Sequence, residues 1–397
     1  MYRFSTLRYG TAGCALSGLA FVAMTPAALA QEKFVQNGEA GFVVSHIEVT
    51  IGGDPVATGA CPKGLSVGWP EQMKKLPQPA RLEGESDQEF RRRSQMAARK
   101  IATGPNGENL CGHPEVGKPD PLHYSIANSK IPVYGIDLDG KNSQGDGQCP
   151  HTDFVGMDGK PGVDNQFYRA TGCLATMQPT GAMYLDFPGS MLTGSWGILI
   201  RLRGVDDIRN DDNVDVSMFQ NADPIELSPS RVPLMHATYA AHQDPKFRAT
   251  TKGRIVDGVL TTVPVDFTTF RDVNSIVLDS LLRDARLQMT ITADGTMEGY
   301  LAGYAPAVGA YDSVFGFRNG RRTNGAPASG EGSATGFALT AGHSCTGIYY
   351  SLLEHADGHY DPKTKKCTSI SMQYRIKAIP AFIVDVKTKS TNEELVR

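Results

Sequence analysis

The chain has 397 residues, 40% of them hydrophobic and 20% charged, and a formal charge of −3 at neutral pH. Its charges are interspersed without the basic stripe that a phosphate backbone requires, so nucleic acid is excluded as an expected partner. After the first thirty residues no stretch reaches the roughly eighteen apolar residues of a membrane helix, so no membrane span is expected.

In chain order, Arg3 and Arg8 precede an apolar run from Ala15 to Met24, and Ala28-Leu29-Ala30 closes the segment. That is the order of a secretory signal peptide over residues 1–30, cut before Gln31. Thr11-Ala12-Gly13-Cys14 resembles a lipid-attachment box. The residues before Cys14 are polar and include Arg8, however, so lipid anchoring is not expected. Cleavage removes two arginines and no acid, moving the charge from −3 to about −5. The expected location is periplasmic or secreted.

Residues 31–180 read as an irregular N-terminal region with one strand, one helix and an Asp-rich loop. Ile47, Val49 and Ile51 alternate with His46, Glu48 and Thr50, which marks a strand with one buried face. Ser86-Asp87-Gln88-Glu89 is a capping-box pattern that opens a helix ending at Gly104-Pro105. From Ala182 onward, over residues 181–397, successive strands are expected. Gly197–Val205 and Val214–Phe219 pair across the acidic turn Asp206 to Asn213. Ala285 to Thr292 alternates and reverses at Asp294-Gly295 into Thr296 to Leu301. Residues 320–336 read as a mobile loop, Ile348–Ala356 as a helix with Gly358 as its left-handed cap, and Ile370–Ala378 and Ala381–Val386 as returning strands. The fold class expected is mainly β, an antiparallel β-sandwich or jelly-roll-like core with long irregular disulfide-stapled loops and a few short helices.

Six cysteines remain after the leader: Cys61, Cys111, Cys149, Cys173, Cys345 and Cys367. In an oxidising compartment they are expected to form disulfides, with local pairing (61 with 111, 149 with 173, 345 with 367) as the best guess among fifteen connectivities. No Cys-x-x-Cys occurs, so neither zinc nor haem has its signature.

The densest chemistry lies between Gly135 and Cys173, where Asp137, Asp139, Asp146, Asp153, Asp158 and Asp164 are punctuated by glycine. Carboxylates spaced two apart with glycine behind them can turn several oxygens toward one hard cation, so these six are the candidate metal ligands and calcium the candidate cofactor. The Asp137-x-Asp139-Gly140 and Gly162-x-Asp164-Asn165 elements locally resemble, over about thirty residues, the aspartate loops of thrombospondin type 3 repeats. The resemblance implies calcium wrapped among disulfides. Lys141 departs from an EF-hand, which places an oxygen ligand there. Ordinary turns remain the alternative, since Asp, Asn and Gly are what turns are made of. Gly135 to Asn142 also mimics a nucleotide-binding P-loop. Asn142 replaces its Ser or Thr and two carboxylates sit where phosphate must approach, so no nucleotide is expected.

Smaller candidates are the acidic turn Asp206 to Asp215, and His355, Asp357, His359 and Asp361 near the last helix. Trp69, Trp196, Tyr300, Tyr304, Tyr311, Tyr349 and Tyr350 could present a sugar-stacking face, against a bland role in core packing. Neither Gly-x-Ser-x-Gly nor His-Glu-x-x-His is present. The function expected is therefore an exported non-catalytic binding or structural protein with a calcium-stabilised Asp-rich loop, its partner a glycan or another cell-envelope protein. A secreted or periplasmic hydrolase or lyase acting on a glycan or other polymer is the alternative.

Overall fold

The computed structural model describes residues 34–50, 59–66, 79–119, 126–128, 130–194, 196–273 and 275–385. Residues 1–30, where a leader is expected, and Ile51, Trp69 and Val386 lie outside the described residues. The chain is mainly β, with 37% strand against 21% helix. The N-terminal region supplies β1 (Glu39–Val49), α1 (Asp87–Arg99), the short strands β2 (Pro132–Val133), β3 (Phe154–Gly156) and β4 (Pro161–Val163), and the helices α2 (Gln166–Thr171) and α3 (Ala182–Leu192). The capping box forms at α1: the Glu89 N–H donates to Ser86 Oγ at 3.3 Å and the Ser86 N–H to Glu89 Oε2 at 3.0 Å.

Then come β5 (Ile198–Arg203), β6 (Asp211–Gln220), β7 (Thr238–Ala240), β8 (Arg248–Val256), β9 (Val259–Thr262), β10 (Val265–Val273), β11 (Ile276–Ile291) and β12 (Met297–Pro306). Alternation shapes this part. In β11, Leu287, Met289 and Ile291 are buried while Gln288 and Thr290 face out. Gly295, at φ +83°, turns the chain into β12 as expected. Three short helices, α4 (Ala307–Ala310), α5 (Glu331–Ala341) and α6 (Cys345–Glu354), precede β13 (Gly358–Asp361), β14 (Lys366–Pro380) and β15 (Phe382–Val384).

The main sheet runs β1-β5-β6-β8-β9-β11-β12-β14, and β14 pairs back onto β1. Every pairing in this ring is antiparallel. The ring is compatible with a flattened, sandwich-like cross-section and leaves none of its strands as a free edge, the usual liability of an open sheet. β10 pairs with the first half of β11, β13 with the start of β14, and β15 with β7 in a separate parallel pair.

Three local expectations are corrected. Ala182–Leu192 is helical, because Met183, Phe187 and Met191, one face of α3, pack into the core despite Pro188. The last third of the expected mobile loop begins α5, and α6 ends at Glu354 with His355 as its cap, which leaves Gly358 to begin β13. The cysteines pair across the fold as Cys61–Cys173, Cys111–Cys345 and Cys149–Cys367, with sequence separations of 112, 234 and 218. Proximity in sequence favours local bridges only while the chain is unfolded. In the folded chain distant segments meet, and Cys149–Cys367 joins the Asp-rich loop to β14.

Candidate metal centre

The outward face of β14 seats the Asp-rich loop. Ile370 and Met372 point into the core, whereas the alternating Ser369, Ser371 and Gln373 are polar and fully buried beneath the N-terminal region. The Gln373 carboxamide accepts from Ile136 N–H at 2.8 Å, donates to Ile136 O at 2.8 Å and also donates to the Asp164 carbonyl. Ser371 Oγ accepts from Gln166 N–H at 2.8 Å. Asn165 caps α2 through Tyr168 N–H at 3.2 Å while its amide donates to Thr50 Oγ1 at 2.7 Å. Gly162 has φ +93°, and a Cβ there would stand 2.6 Å from Lys141 O and 3.3 Å from Asp137 Oδ2. Glycine is what lets β4 pass this close to the Asp137–Lys141 turn.

On this scaffold Asp137, Asp139 and Asp164 each direct a carboxylate oxygen to one place, all within 4.8 Å of one another, and His151, Asp153 and Asp164 do the same. Asp164 belongs to both sets. Its Oδ2 accepts from Leu138 N–H at 2.5 Å, between Asp137 and Asp139, while Oδ1 lies 3.4 Å from His151 Nε2. Asp137 Oδ1 accepts from Gly140 N–H at 2.6 Å and Asp139 Oδ1 from Lys141 N–H at 2.8 Å. Asp153 Oδ2 accepts from Ser143 N–H at 2.5 Å, and its Oδ1 is 3.0 Å from His151 Nε2. Nδ1 of His151 meets the Cys149 carbonyl at 2.7 Å, and Cys149 is bridged to Cys367 on β14.

Negative charge is crowded here. Burial disfavours the charged His151 ring, but the Asp153 and Asp164 carboxylates more than offset it and push its pKa up to about 11. Burial raises Asp164, which its neighbours Asp153 and Asp139 raise further. Asp137 is raised by burial and by Asp139. Asp357, buried at the entry to β13, is pushed to about 7 by desolvation, with Asp164 adding to the effect. Its Oδ1 accepts from Ser371 N–H at 2.6 Å, while Oδ2 has no hydrogen-bond partner. Arg169 lies over the Phe154 ring at 4.4 Å, and burial lowers its pKa to about 10 against the attraction of Asp153 and Asp357. A buried cluster of acids and one histidine of this kind could hold a divalent cation.

Of the six aspartates singled out in the sequence, the fold gathers Asp137, Asp139, Asp153 and Asp164. Asp146 and Asp158 sit on turns of their own: Asp146 Oδ1 accepts from Gln144 N–H at 3.4 Å, and Asp158 pairs with Lys160 Nζ at 3.1 Å. His151 and Asp357 were not read as partners of the loop. The local signal for His151 is its position in His-x-Asp beside Cys149, whereas Asp357 arrives from a distant element. His355 and His359 have separate contacts, with the Ser351 carbonyl at 2.9 Å and with Asp284 at 3.2 Å. The acidic hairpin bonds to itself, Asp206 N–H donating to Asp211 Oδ2 at 2.8 Å. Tyr311 is core, its hydroxyl donating to Cys111 O at 2.9 Å, and Trp196 Nε1 donates to Ser190 Oγ at 2.8 Å. Comparison of the chain with known protein families, curated proteins and solved structures gives no match.

Proposed function

We propose that the chain is a non-catalytic structural or binding protein of the periplasm or extracellular space, in which calcium bound by Asp137, Asp139 and Asp164 locks the Asp-rich loop onto the β-ring. The convergence of these three carboxylates within 4.8 Å carries the proposal. The set is all oxygen, as a hard cation prefers, and it is partly open to solvent through Asp137 and Asp139, so waters can complete the high coordination number calcium takes. Three disulfides suit an oxidising compartment, and among the described residues no helix is long and apolar enough to cross a membrane.

Calcium removal tests this. The purified chain should retain calcium through gel filtration, seen by elemental analysis, and its melting temperature should fall by several degrees in EGTA and recover when calcium is added back. An unchanged melting temperature together with no calcium in the protein would sink the proposal.

A further inference from the structure

We propose that His151, Asp153 and Asp164 form a second metal site beside the oxygen-only one, taking a divalent transition-metal ion that accepts an imidazole nitrogen. What carries this is how the three side chains are fixed. In each, the atom facing away from the cluster is engaged by backbone: Nδ1 of His151 by the Cys149 carbonyl at 2.7 Å, Oδ2 of Asp153 by Ser143 N–H and Oδ2 of Asp164 by Leu138 N–H, both at 2.5 Å. Nε2 and the two Oδ1 atoms are left facing one another, at 3.0 and 3.4 Å from the nitrogen. A backbone carbonyl on Nδ1 is the outer-shell device that keeps the proton there and presents Nε2 to a metal.

Asp153 is 5% exposed, and its Oδ1 is paired with His151 Nε2 at 3.0 Å, so a cation entering here would take over a buried contact between imidazole and carboxylate. Bonds of about 2.0–2.1 Å at a tetrahedral angle put neighbouring donors about 3.3 Å apart, and the two observed spacings bracket that distance.

Charge fits two ions as well. With His151 neutral, the carboxylates of Asp137, Asp139, Asp153 and Asp164 balance two divalent cations, and Asp164 lies between them with one oxygen at each set. The spacing His151-x-Asp153 followed by Asp164 matches no familiar zinc signature, and the sequence offers no Cys-x-x-Cys pair either. The proposal shares Asp164 with the calcium site and rests on that reading only for the neighbouring ion.

The test strips the purified chain with a strong chelator, then equilibrates it with saturating calcium and either zinc or manganese. Uptake of about one zinc or manganese ion per chain is expected, with X-ray absorption showing one imidazole nitrogen among oxygen donors. His151→Gln should weaken that uptake by more than about tenfold, whereas Asp146→Asn should not. Circular dichroism checks the fold of His151→Gln, and the absorption spectrum of the unmodified chain stands independently of any variant. No uptake, equal uptake by His151→Gln, or an all-oxygen spectrum overturns the proposal. So does NMR showing both His151 ring nitrogens protonated in the zinc-treated chain, which would leave an imidazolium ion-paired to two aspartates. Zinc bound without calcium would sustain this site and sink the calcium reading, and calcium bound alone would do the reverse.

Discussion

Asp164 faces two ways, and that is what makes it a sharper probe of the loop than any of its neighbours. One oxygen is tied to Leu138 N–H and the other faces His151, with no side-chain surface open to solvent. Asp164→Asn keeps the shape and removes the charge, leaving His151 with one carboxylate and the calcium set one anion short. It should cost about 3 kcal/mol in urea unfolding, in line with breaking a buried pair, and abolish calcium retention. Asp158→Asn, on an exposed turn, should stay within about 0.5 kcal/mol of the unmodified chain. Equal stabilities would mean that the buried carboxylate contributes nothing. Glu48 gives a second residue-level outcome. It sits at the closure of the ring, paired with Arg375 Nε at 2.9 Å and His46 at 3.2 Å and accepting from the Tyr184 hydroxyl of α3. Burial would raise its pKa, but His46, Tyr184 and Arg375 together bring it below the ordinary 4.5. The unfolded chain therefore binds the proton more readily, so this contribution is fully present above about pH 4.5 and is lost as pH falls through the lower folded value. Glu48→Gln should cost about 1–2 kcal/mol at pH 7 and flatten the acid limb of the stability curve. An unchanged acid limb would show that the carboxylate titrates alike in both states.

Elements were legible where one local signal decided them. The β11–β12 hairpin was readable because period-two alternation and Asp294-Gly295 agree, and α1 because its capping box forms as the spacing demands. α3 was not, although Met183, Phe187 and Met191 recur at helical spacing, because Pro188-Gly189 inside the run speaks against a helix and only packing on β1 and β10 overrides it. α5 is built largely from small residues, Gly332, Ser333, Ala334 and Gly336 among them, so neither propensity nor an apolar face announces it. The candidate site divides along the same line. Asp137-x-Asp139-Gly is a local turn and could be read. The approach of Asp164 and Asp357 depends on Gln373 and Ser371 of β14, whose outward polar face reads in sequence as a solvent-facing stripe but is buried under the loop. Sequence cannot distinguish a polar face covered by protein from one covered by water.

At the scale of the whole molecule, closure of the ring and seating of the loop use the same strand, β14. β1, near the start, pairs with β14, near the end, so neither the ring nor the platform for Asp164 exists until the last long strand is in place. Such non-local pairing is slow to form and expensive in chain entropy. The cross-fold disulfides act against that cost: a loop closed over 218 residues restricts the unfolded chain by about 5 kcal/mol in the chain-entropy account. Cys149–Cys367 has a second role that Cys111–Cys345 lacks, because the carbonyl of Cys149 itself orients the His151 ring. Replacing both members of either bridge by alanine should therefore destabilise the chain by a similar amount, about 2–5 kcal/mol. Only loss of Cys149–Cys367 should also weaken zinc or manganese binding, by about tenfold or more, measured by competition with a chromophoric chelator well below the unfolding transition. Equal metal affinity in the two variants would mean that Gln373 and Ser371 alone hold the loop in register, and that the bridge contributes stability without positioning the imidazole.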